Sequence, residues 1–257
     1  MSEAPAPVVI LISGRGSNLQ AILDEAADAP DLMAGRMSEA SRASVTARGP
    51  RIGPIGETRA GRLPIEIRAV ISNNPDAEGL QHARAAGVPT EVIDHRTYSE
   101  RTQFDAALMQ AIDRHAPRLV ILAGFMRILG EAFIRHYAGR LLNIHPSLLP
   151  ALKGLNTHTR ALVAGAKQHG ASVHFVTNDL DGGPVIVQAS VPVRTGDTAG
   201  TLAARVLHEE HRILPLAIRW FVEGRLSIHN GQVLLDGEIR PEQGLITVPE
   251  QRTEATK

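Results

Sequence analysis

Cysteine, long apolar runs and an excess of charge of either sign are all missing from this chain of 257 residues. Without cysteine, the chain has no disulfide, no thiolate metal site and no cysteine nucleophile. Lys plus Arg and Asp plus Glu both number 27, so the zero formal net charge provides no global field for nucleic acid or an anionic membrane. No stretch is apolar over the length of a membrane span, and the N-terminus lacks a basic region followed by an apolar core. These absences predict a soluble, cytoplasmic protein in which local pockets provide any recognition of charge.

Short apolar runs alternate with helical patterns along the chain. The runs at 8–12, 119–123 and 141–143 are typical of strands covered on both faces. An amphipathic helix is predicted over 98–115, opening near Ser99 or Thr102. The alternation predicts an α/β fold of Rossmann-like type: a doubly wound, mostly parallel sheet with helices on both faces. A chain of this length commonly forms one domain, so residues 1–257 are expected to fold as a single unit.

Two segments depart from this pattern. Residues 30–63 hold Ala, Gly, Ser, Arg and Pro without a usable period, which predicts a mostly disordered surface insertion. Contact of its arginines with RNA or an acidic partner is the less favoured interpretation. Residues 226–237 predict a hairpin with an Asn-Gly turn, and residues 238–257 predict a polar, mobile tail.

The segment 143–150, Asn-Ile-His-Pro-Ser-Leu-Leu-Pro, carries the strongest chemical signal. It follows a strand-like run, and open α/β sheets bind ligands where their strands end. Asn143 and His145 are two residues apart, so strand geometry directs both side chains to one face. Together they suit a carbonyl that becomes tetrahedral, because both can donate to the developing oxyanion and the histidine can move a proton. An isolated Asn-x-His is more often a turn cap and a hydrogen-bonded structural histidine.

Two glycine-containing loops hold further candidates. Residues 13–18, Ser-Gly-Arg-Gly-Ser-Asn, join a strand to a helix, where backbone N–H groups and the positive helix end form an anion site. The loop has neither a Rossmann fingerprint nor a Walker A pattern, so one phosphate is favoured over a pyrophosphate. The alternative is an ordinary turn with Ser17 or Asn18 as helix N-cap.

The second loop, residues 177–184, reads Thr-Asn-Asp-Leu-Asp-Gly-Gly-Pro. Its two aspartates are either turn formers or a source of a carboxylate that holds the proton of His145. Aspartate with histidine also allows a metal, but the spacing matches no ligand motif.

The segment 122–150, LAGFMRILGEAFIRHYAGRLLNIHPSLLP, resembles the phosphoribosylglycinamide formyltransferases, a folate-dependent formyltransferase family of purine synthesis. The likeness continues through GASVHFVTNDLDGGPVIVQASVPV at 170–193 and ISGRGSNLQAI at 12–22, and covers most of the chain outside the insertion and the tail. It implies transfer of a formyl group from the co-substrate 10-formyltetrahydrofolate to the amine of 5'-phosphoribosylglycinamide, without a covalent enzyme intermediate and without a metal.

The resemblance also implies the roles of individual residues. The catalytic residues are Asn143, His145 and Asp181, and Asp181 orients and charges the imidazole of His145. His174 does not contact the substrates and holds the catalytic side chains in position. The phosphoribosylglycinamide-binding residues are Gly16, Ser17, Asn18, Leu207, His208, Glu209 and Glu210. The folate-binding residues are Arg101, Met126, Arg127, Ile128, Leu129, Asn143, Thr177, Asn178, Asp179, Leu180 and Asp181.

From their sequence pattern alone, several of these residues have simpler interpretations. Residues 126–129 would be core packing, residues 207–210 a charged helix face and Arg101 a solvent-facing side chain. Lys153, Asn156 and His158 lie near the site in sequence and receive no role. The protein is expected to be a monomer or a homodimer.

Three other activities stay open at this point. Formyltetrahydrofolate deformylases are similar at the same Asn, His and Asp but hand the formyl group to water, and they carry an N-terminal regulatory domain that is not expected here. Methionyl-tRNA formyltransferases share the catalytic domain but need a nucleic-acid-binding domain and a basic surface, which a neutral chain argues against. From a different class, the chain would be a non-catalytic nucleotide-binding module whose arginine-rich insertion recruits a partner. Turnover by the purified protein distinguishes this module from the enzymes.

Overall fold

A computed structural model describes residues 4–27, 62–239, 243 and 245–247. Most of the predicted insertion and most of the predicted tail lie outside these residues. Within them, the strands are β1 (Ala6–Ile12), β2 (Ile65–Ser72), β3 (Thr90–Val92), β4 (Leu119–Leu122), β5 (Leu141–His145), β6 (Gln168–Phe175), β7 (Val185–Pro192), β8 (Leu226–His229), β9 (Gln232–Leu235) and β10 (Leu245–Thr247). The α-helices are α1 (Ser17–Ala26), α2 (Gly79–Ala85), α3 (Arg101–Asp113), α4 (Glu131–His136), α5 (Thr157–Val163) and α6 (Ala199–Val222).

The direction of the strands divides the main sheet into two parts. Its order is β10-β7-β6-β5-β4-β1-β2-β3. Strands β1 to β5 pair in parallel, whereas β6 runs antiparallel to both β5 and β7. From β1 the chain first adds β2 and β3 on one side and then β4 and β5 on the other. The loops after β1 and β4 therefore leave the sheet at a topological switch point, where open α/β sheets bind ligands.

Helices cover both faces of the sheet. Along β1, Val8, Ile10 and Ile12 pack into one core with residues of α1, α2, α5 and α6. The alternate residues Val9 and Leu11 pack into a second core with residues of α3 and α4. All five side chains are fully buried, which is why the strand is apolar at every position. The prediction of a doubly wound, mostly parallel α/β fold is confirmed.

The starts of helices α6 and α3 differ in how they are capped. Helix α6 opens with a capping box, in which the side chains of Thr198 and Thr201 accept from each other's backbone N–H. Helix α3 begins at Arg101, between Ser99 and Thr102, near which its start was predicted. That helix begins after Glu100, whose side chain makes no cap bond, and the Ser99 hydroxyl donates to Gln103 instead.

The C-terminal hairpin is confirmed. Asn230 and Gly231 join β8 to β9 with φ values of 50° and 78°, as a two-residue hairpin turn with both residues left-handed requires. Strand β10 adds in parallel to β7. It lies inside residues 238–257, whose mobility stays a prediction.

Candidate active site

The end of β5 presents an amide and an imidazole on one face of the sheet. Asn143 pairs with His174 of β6, and His145 pairs with Ser172. Residues two apart on a strand share a face, so Asn143 and His145 leave β5 on the same side. Because β6 is antiparallel, its side chains lie directly beside theirs. The Asn143 Nδ2 atom is 3.1 Å from Nε2 of His174.

His174 fixes the orientation of that amide. Its Nδ1 donates to the Phe175 carbonyl oxygen at 2.9 Å, which leaves Nε2 to accept from Asn143. The ring is 2% exposed. Burial lowers the pKa of His174, although the Phe175 carbonyl and the Asp181 carboxylate oppose the shift. A neutral ring that accepts one amide hydrogen leaves the second N–H of Asn143 for another acceptor.

His145 is buried between two acceptors. Its Nδ1 lies 3.4 Å from Oδ2 of Asp181, an ion-pair distance, and its Nε2 lies 3.1 Å from the Leu152 carbonyl oxygen. The residue is 6% exposed. Carboxylates and carbonyls accept hydrogen bonds and do not donate them, so either ring nitrogen faces an acceptor.

Asp181 reaches His145 through a tightly turned loop. Its own φ is 48°, in the left-handed region. A Cβ on Gly183 would lie 1.8 Å from the Phe175 carbonyl oxygen, so glycine is required for this close approach. The Asp181 carboxylate also accepts the Gly154 N–H at 2.8 Å. The geometry therefore holds the carboxylate in place from two sides.

The loop between β1 and α1 has the form of an anion site. Gly16 precedes the helix with φ 76°, and a Cβ there would lie 2.5 Å from the Gly79 Cα. The first helical hydrogen bond ends on the Gly16 carbonyl, so the N–H groups of 17–19 point out of the positive helix end. The alternative with Ser17 or Asn18 as N-cap is wrong, because Gly16 occupies that position.

Asn18 and Glu210 join α1 to α6. The Asn18 Nδ2 atom donates to the Glu210 carboxylate at 2.7 Å. Asn18 is 7% exposed, and its Oδ1 has no hydrogen-bond partner within the described residues. Burial raises the pKa of Glu210, and the bond from Asn18 opposes this. A buried amide oxygen without a partner, beside a buried carboxylate, marks a place where a polar ligand is expected.

The other candidates on α6 are placed differently from Glu210. The Glu209 carboxylate is buried and accepts from Arg212 at 2.6 Å. His208 is exposed, and Leu207 is half-buried. Of the four predicted residues, Glu210 is the one with a side-chain bond to α1.

The loop after β4 presents apolar side chains to solvent. Met126 and Ile128 are 68% and 65% exposed, whereas Leu129 is buried. Arg101 and Arg127 are exposed as well. Large exposed apolar side chains beside cations fit a flat, anionic ligand better than core packing, which was the simpler interpretation of 126–129.

Asp105 anchors this loop and was not identified from the sequence. Its carboxylate is 4% exposed and accepts the Gly130 N–H at 2.8 Å. Burial raises the pKa of Asp105, while the Gly130 bond and the charges of Arg101 and Arg127 lower it. Its position next to Phe104 on the buried face of α3 could have indicated a special role, because an acid is unexpected there.

The remaining loop candidates are close to solvent. Thr177 is half-buried, and Asn178, Asp179 and Leu180 are exposed. Lys153, which received no role, lies 2.8 Å from the Asp179 carboxylate and ties the two loops together.

The other two residues without a role lie at α5. Asn156 precedes the helix with φ 57°, and the His158 ring lies 3.2 Å from that of His169. Burial lowers the pKa of both histidines, that of His169 to about 4. Within the described ranges, no group of three or more His, Cys, Asp or Glu side chains could hold a metal ion. In the same part of the chain, no helix is both long enough and apolar enough to cross a membrane.

Comparison with known proteins agrees with this geometry. Residues 52–218 match the formyl transferase family. The chain is 46% identical over 237 residues to phosphoribosylglycinamide formyltransferase of Escherichia coli (strain K12), which covers 92% of this chain and 97% of the relative. It is 39% identical over 229 residues to trifunctional purine biosynthetic protein adenosine-3 of Homo sapiens, covering 89% of this chain and 20% of the relative. The structure of phosphoribosylglycinamide formyltransferase from Coxiella burnetii superimposes with a TM-score of 0.75 at 46% identity, covering 95% and 100% of the two chains. This chain belongs to the formyl transferase family.

Proposed function

We propose that the protein transfers the formyl group of 10-formyltetrahydrofolate to the amine of 5'-phosphoribosylglycinamide. The products are formylglycinamide ribonucleotide and tetrahydrofolate, in de novo purine (IMP) synthesis. The observation that carries the proposal is the meeting of Asn143, His145 and Asp181 at the end of β5. The names and high identity of the relatives support the same activity.

The side chains suit an addition and elimination at the formyl carbon. The amine nitrogen forms a bond to that carbon, the carbonyl electrons move to oxygen, and the bond to the folate nitrogen then breaks. The second N–H of Asn143 and an N–H of protonated His145 donate to the oxyanion. Asp181 orients the imidazole, and the amine proton passes to the leaving nitrogen, so that no charge is left over.

His145 has to exchange one hydrogen-bond partner during this reaction. Its Nε2 faces the Leu152 carbonyl, and its Nδ1 faces the carboxylate that is proposed to orient it. The formyl oxygen therefore takes over the hydrogen from Leu152 when the substrate binds. Leu152 has φ 56°, a backbone conformation that leucine adopts at a cost, so its carbonyl is held in position by its surroundings.

The nucleotide fits the loop before α1 and the buried pair behind it. Its phosphate is proposed to lie on the N–H groups of Gly16, Ser17 and Asn18, at the positive end of the helix. The free Oδ1 of Asn18 and the carboxylate of Glu210 face polar groups of the ribose and the glycinamide. Residues 207–209 complete this side of the site from α6.

The folate is proposed to lie against the loop after β4. Met126 and Ile128 offer apolar surface, and Arg101 and Arg127 offer charge for its carboxylates. Leu129 supports the wall from the core, and residues 177–181 close it on the opposite side. We further propose that the protein is a cytoplasmic monomer or homodimer that works without metal, nucleic acid or membrane.

The proposal is tested by the release of tetrahydrofolate from 10-formyltetrahydrofolate by the purified full-length protein. Release should require 5'-phosphoribosylglycinamide and should be weak with water as the acceptor. Equal release without the ribonucleotide would identify a deformylase. No release under either condition, with the ribonucleotide still bound, would identify a non-catalytic binding module.

A further inference from the structure

Ser13 lies between the two loops that are proposed to bind the two substrates. It is half-buried, directly follows β1 and precedes the loop of residues 14–18. Its backbone N–H donates to the Gly124 carbonyl at 3.2 Å, in the loop after β4. Because β1 and β4 are paired neighbours, the nucleotide loop and the folate loop leave the sheet side by side at this residue.

The Ser13 hydroxyl makes a second link to the folate loop. The Met126 N–H donates to Ser13 Oγ at 2.7 Å, and the same hydroxyl donates to Asn73 Oδ1 at 2.5 Å. A hydroxyl has a single hydrogen, so committing it to Asn73 turns the oxygen lone pairs toward Met126. The orientation of the peptide group at Met126 thus depends on the side chain directly before the nucleotide loop.

Asn73 holds that hydroxyl in place. Asn73 is 4% exposed, and its Nδ2 lies 3.1 Å from Nδ1 of His95. A chain of polar contacts therefore runs from the exposed wall at Met126 through Ser13 to the buried end of β2. A rearrangement at one of these residues leaves a polar group of its neighbour without this partner, so the three positions depend on one another.

We propose that Ser13 is a positioning residue that couples the two substrate sites. A ligand that orders the nucleotide loop also orders the peptide at Met126, so the second ligand loses less conformational freedom when it binds. Such coupling is reciprocal: each substrate tightens binding of the other by the same factor. This inference rests on the proposed function, because it requires both substrates, but it does not require Ser13 to touch either of them.

The coupling is measured by calorimetric titration of the full-length protein with tetrahydrofolate, with and without saturating 5'-phosphoribosylglycinamide. Tetrahydrofolate carries no formyl group, so no reaction disturbs the titration. In the wild-type protein, the ribonucleotide should tighten tetrahydrofolate binding by about fivefold or more, the lower end of common coupling factors. In Ser13→Ala the factor should fall to near one, with the KM of both substrates raised and kcat changed less.

Three further variants sharpen this test. Ser13→Thr keeps the hydroxyl and should retain the coupling. Asn73→Ala releases the hydroxyl from the other side and should reduce the coupling as Ser13→Ala does, which covers the case in which Ser13→Ala folds poorly. Ser227→Ala makes the same chemical change at an exposed position of β8 and should leave the coupling unchanged.

Two results would overturn the inference: a wild-type coupling factor of one, or an unchanged factor in both Ser13→Ala and Asn73→Ala. If either occurs while turnover still requires the ribonucleotide, the coupling fails and the proposed function stands. If the wild-type protein neither binds the ribonucleotide nor turns over, both fail together.

Discussion

The two parts of the main sheet contribute to the site in different ways. In the parallel part, β1 and β4 end in loops that offer the N–H groups at the start of α1 and the exposed surface of Met126 and Ile128. In the part that contains the antiparallel strand, β5 and β6 place side chains of Asn143, His145 and His174 against one another. The first part is thus suited to recognise shape and charge, and the second to carry out chemistry.

Strand direction explains this difference. Parallel strands end at one edge of the sheet, so their following loops gather there and their own side chains stay in the core. An antiparallel neighbour brings its residues directly opposite those of β5, which lets His174 hold the Asn143 amide at 3.1 Å. Changes to the side chains at the end of β5 should therefore affect kcat, and changes to the loops after β1 and β4 should affect substrate binding.

The largest effect is expected from Asn143→Ala. This change removes one donor to the oxyanion, and kcat should fall on the order of 100-fold to 1000-fold. The KM of both substrates should change much less, because the amide interacts most strongly with the oxyanion that develops during reaction. Steady-state kinetics with both substrates varied provides the measurement. An unchanged kcat with a raised folate KM would mean that Asn143 only binds the folate.

A backbone change in the other part is made by Gly16→Ala. The added Cβ would lie 2.5 Å from the Gly79 Cα, in addition to the strain of a positive φ. Strain of this kind costs about 1–3 kcal/mol of unfolding free energy, and displacement of the helix start should raise the ribonucleotide KM. Gly196→Ala is the matched control, because Gly196 has φ 83° and nothing within 4 Å of its Cβ position. Equal effects of the two changes would mean that the packing of Gly16 against Gly79 has no role.

Lowering the pH should destabilise the protein through the antiparallel strand β6, which contains the buried His169. Burial lowers the pKa of His169 from 6.5 to about 4, so between these values the unfolded chain binds a proton that the folded one refuses. Stability is full above pH 6.5 and falls as the pH drops, by about 3 kcal/mol at pH 4. In His169→Gln, denaturation by urea at several pH values should show a smaller dependence on pH. His229→Gln, at an exposed position of β8, should behave as the wild-type protein does.

The smallest effect is expected from replacing residues 30–60 with a short Gly/Ser linker. The described residues on either side of this segment lie close together, since the Leu63 N–H donates to the Glu25 carbonyl oxygen at 2.7 Å. They meet at the end of α1 and the start of β2, the edge of the sheet opposite the site. The value of kcat should therefore stay within a few-fold of wild type. A large loss with an unchanged melting temperature would show that the insertion contributes to the site.

The sequence predicted the elements better than it predicted their contacts. Apolar runs are sufficient to locate β1 and β4, and the two-residue period is sufficient to place Asn143 and His145 on one face. The direction of β6 has no such signal, because side chains alternate between the two faces of a sheet whichever way the strand runs. Contacts through the backbone, such as the Leu152 carbonyl at His145, leave no residue-type signature. The bond from Met126 to Ser13 joins residues far apart in sequence and could be found only in the structure.

The most direct test of the account is a double-mutant cycle on His145 and Asp181. The Asp181 carboxylate lies 3.4 Å from Nδ1 of His145 and is proposed to act through that ring. Residues that act as one unit are strongly non-additive. The kcat of His145→Ala combined with Asp181→Asn should therefore be within about twofold of that of His145→Ala alone. Losses that multiply in the double variant would contradict the account, because Asp181 would then act independently of His145.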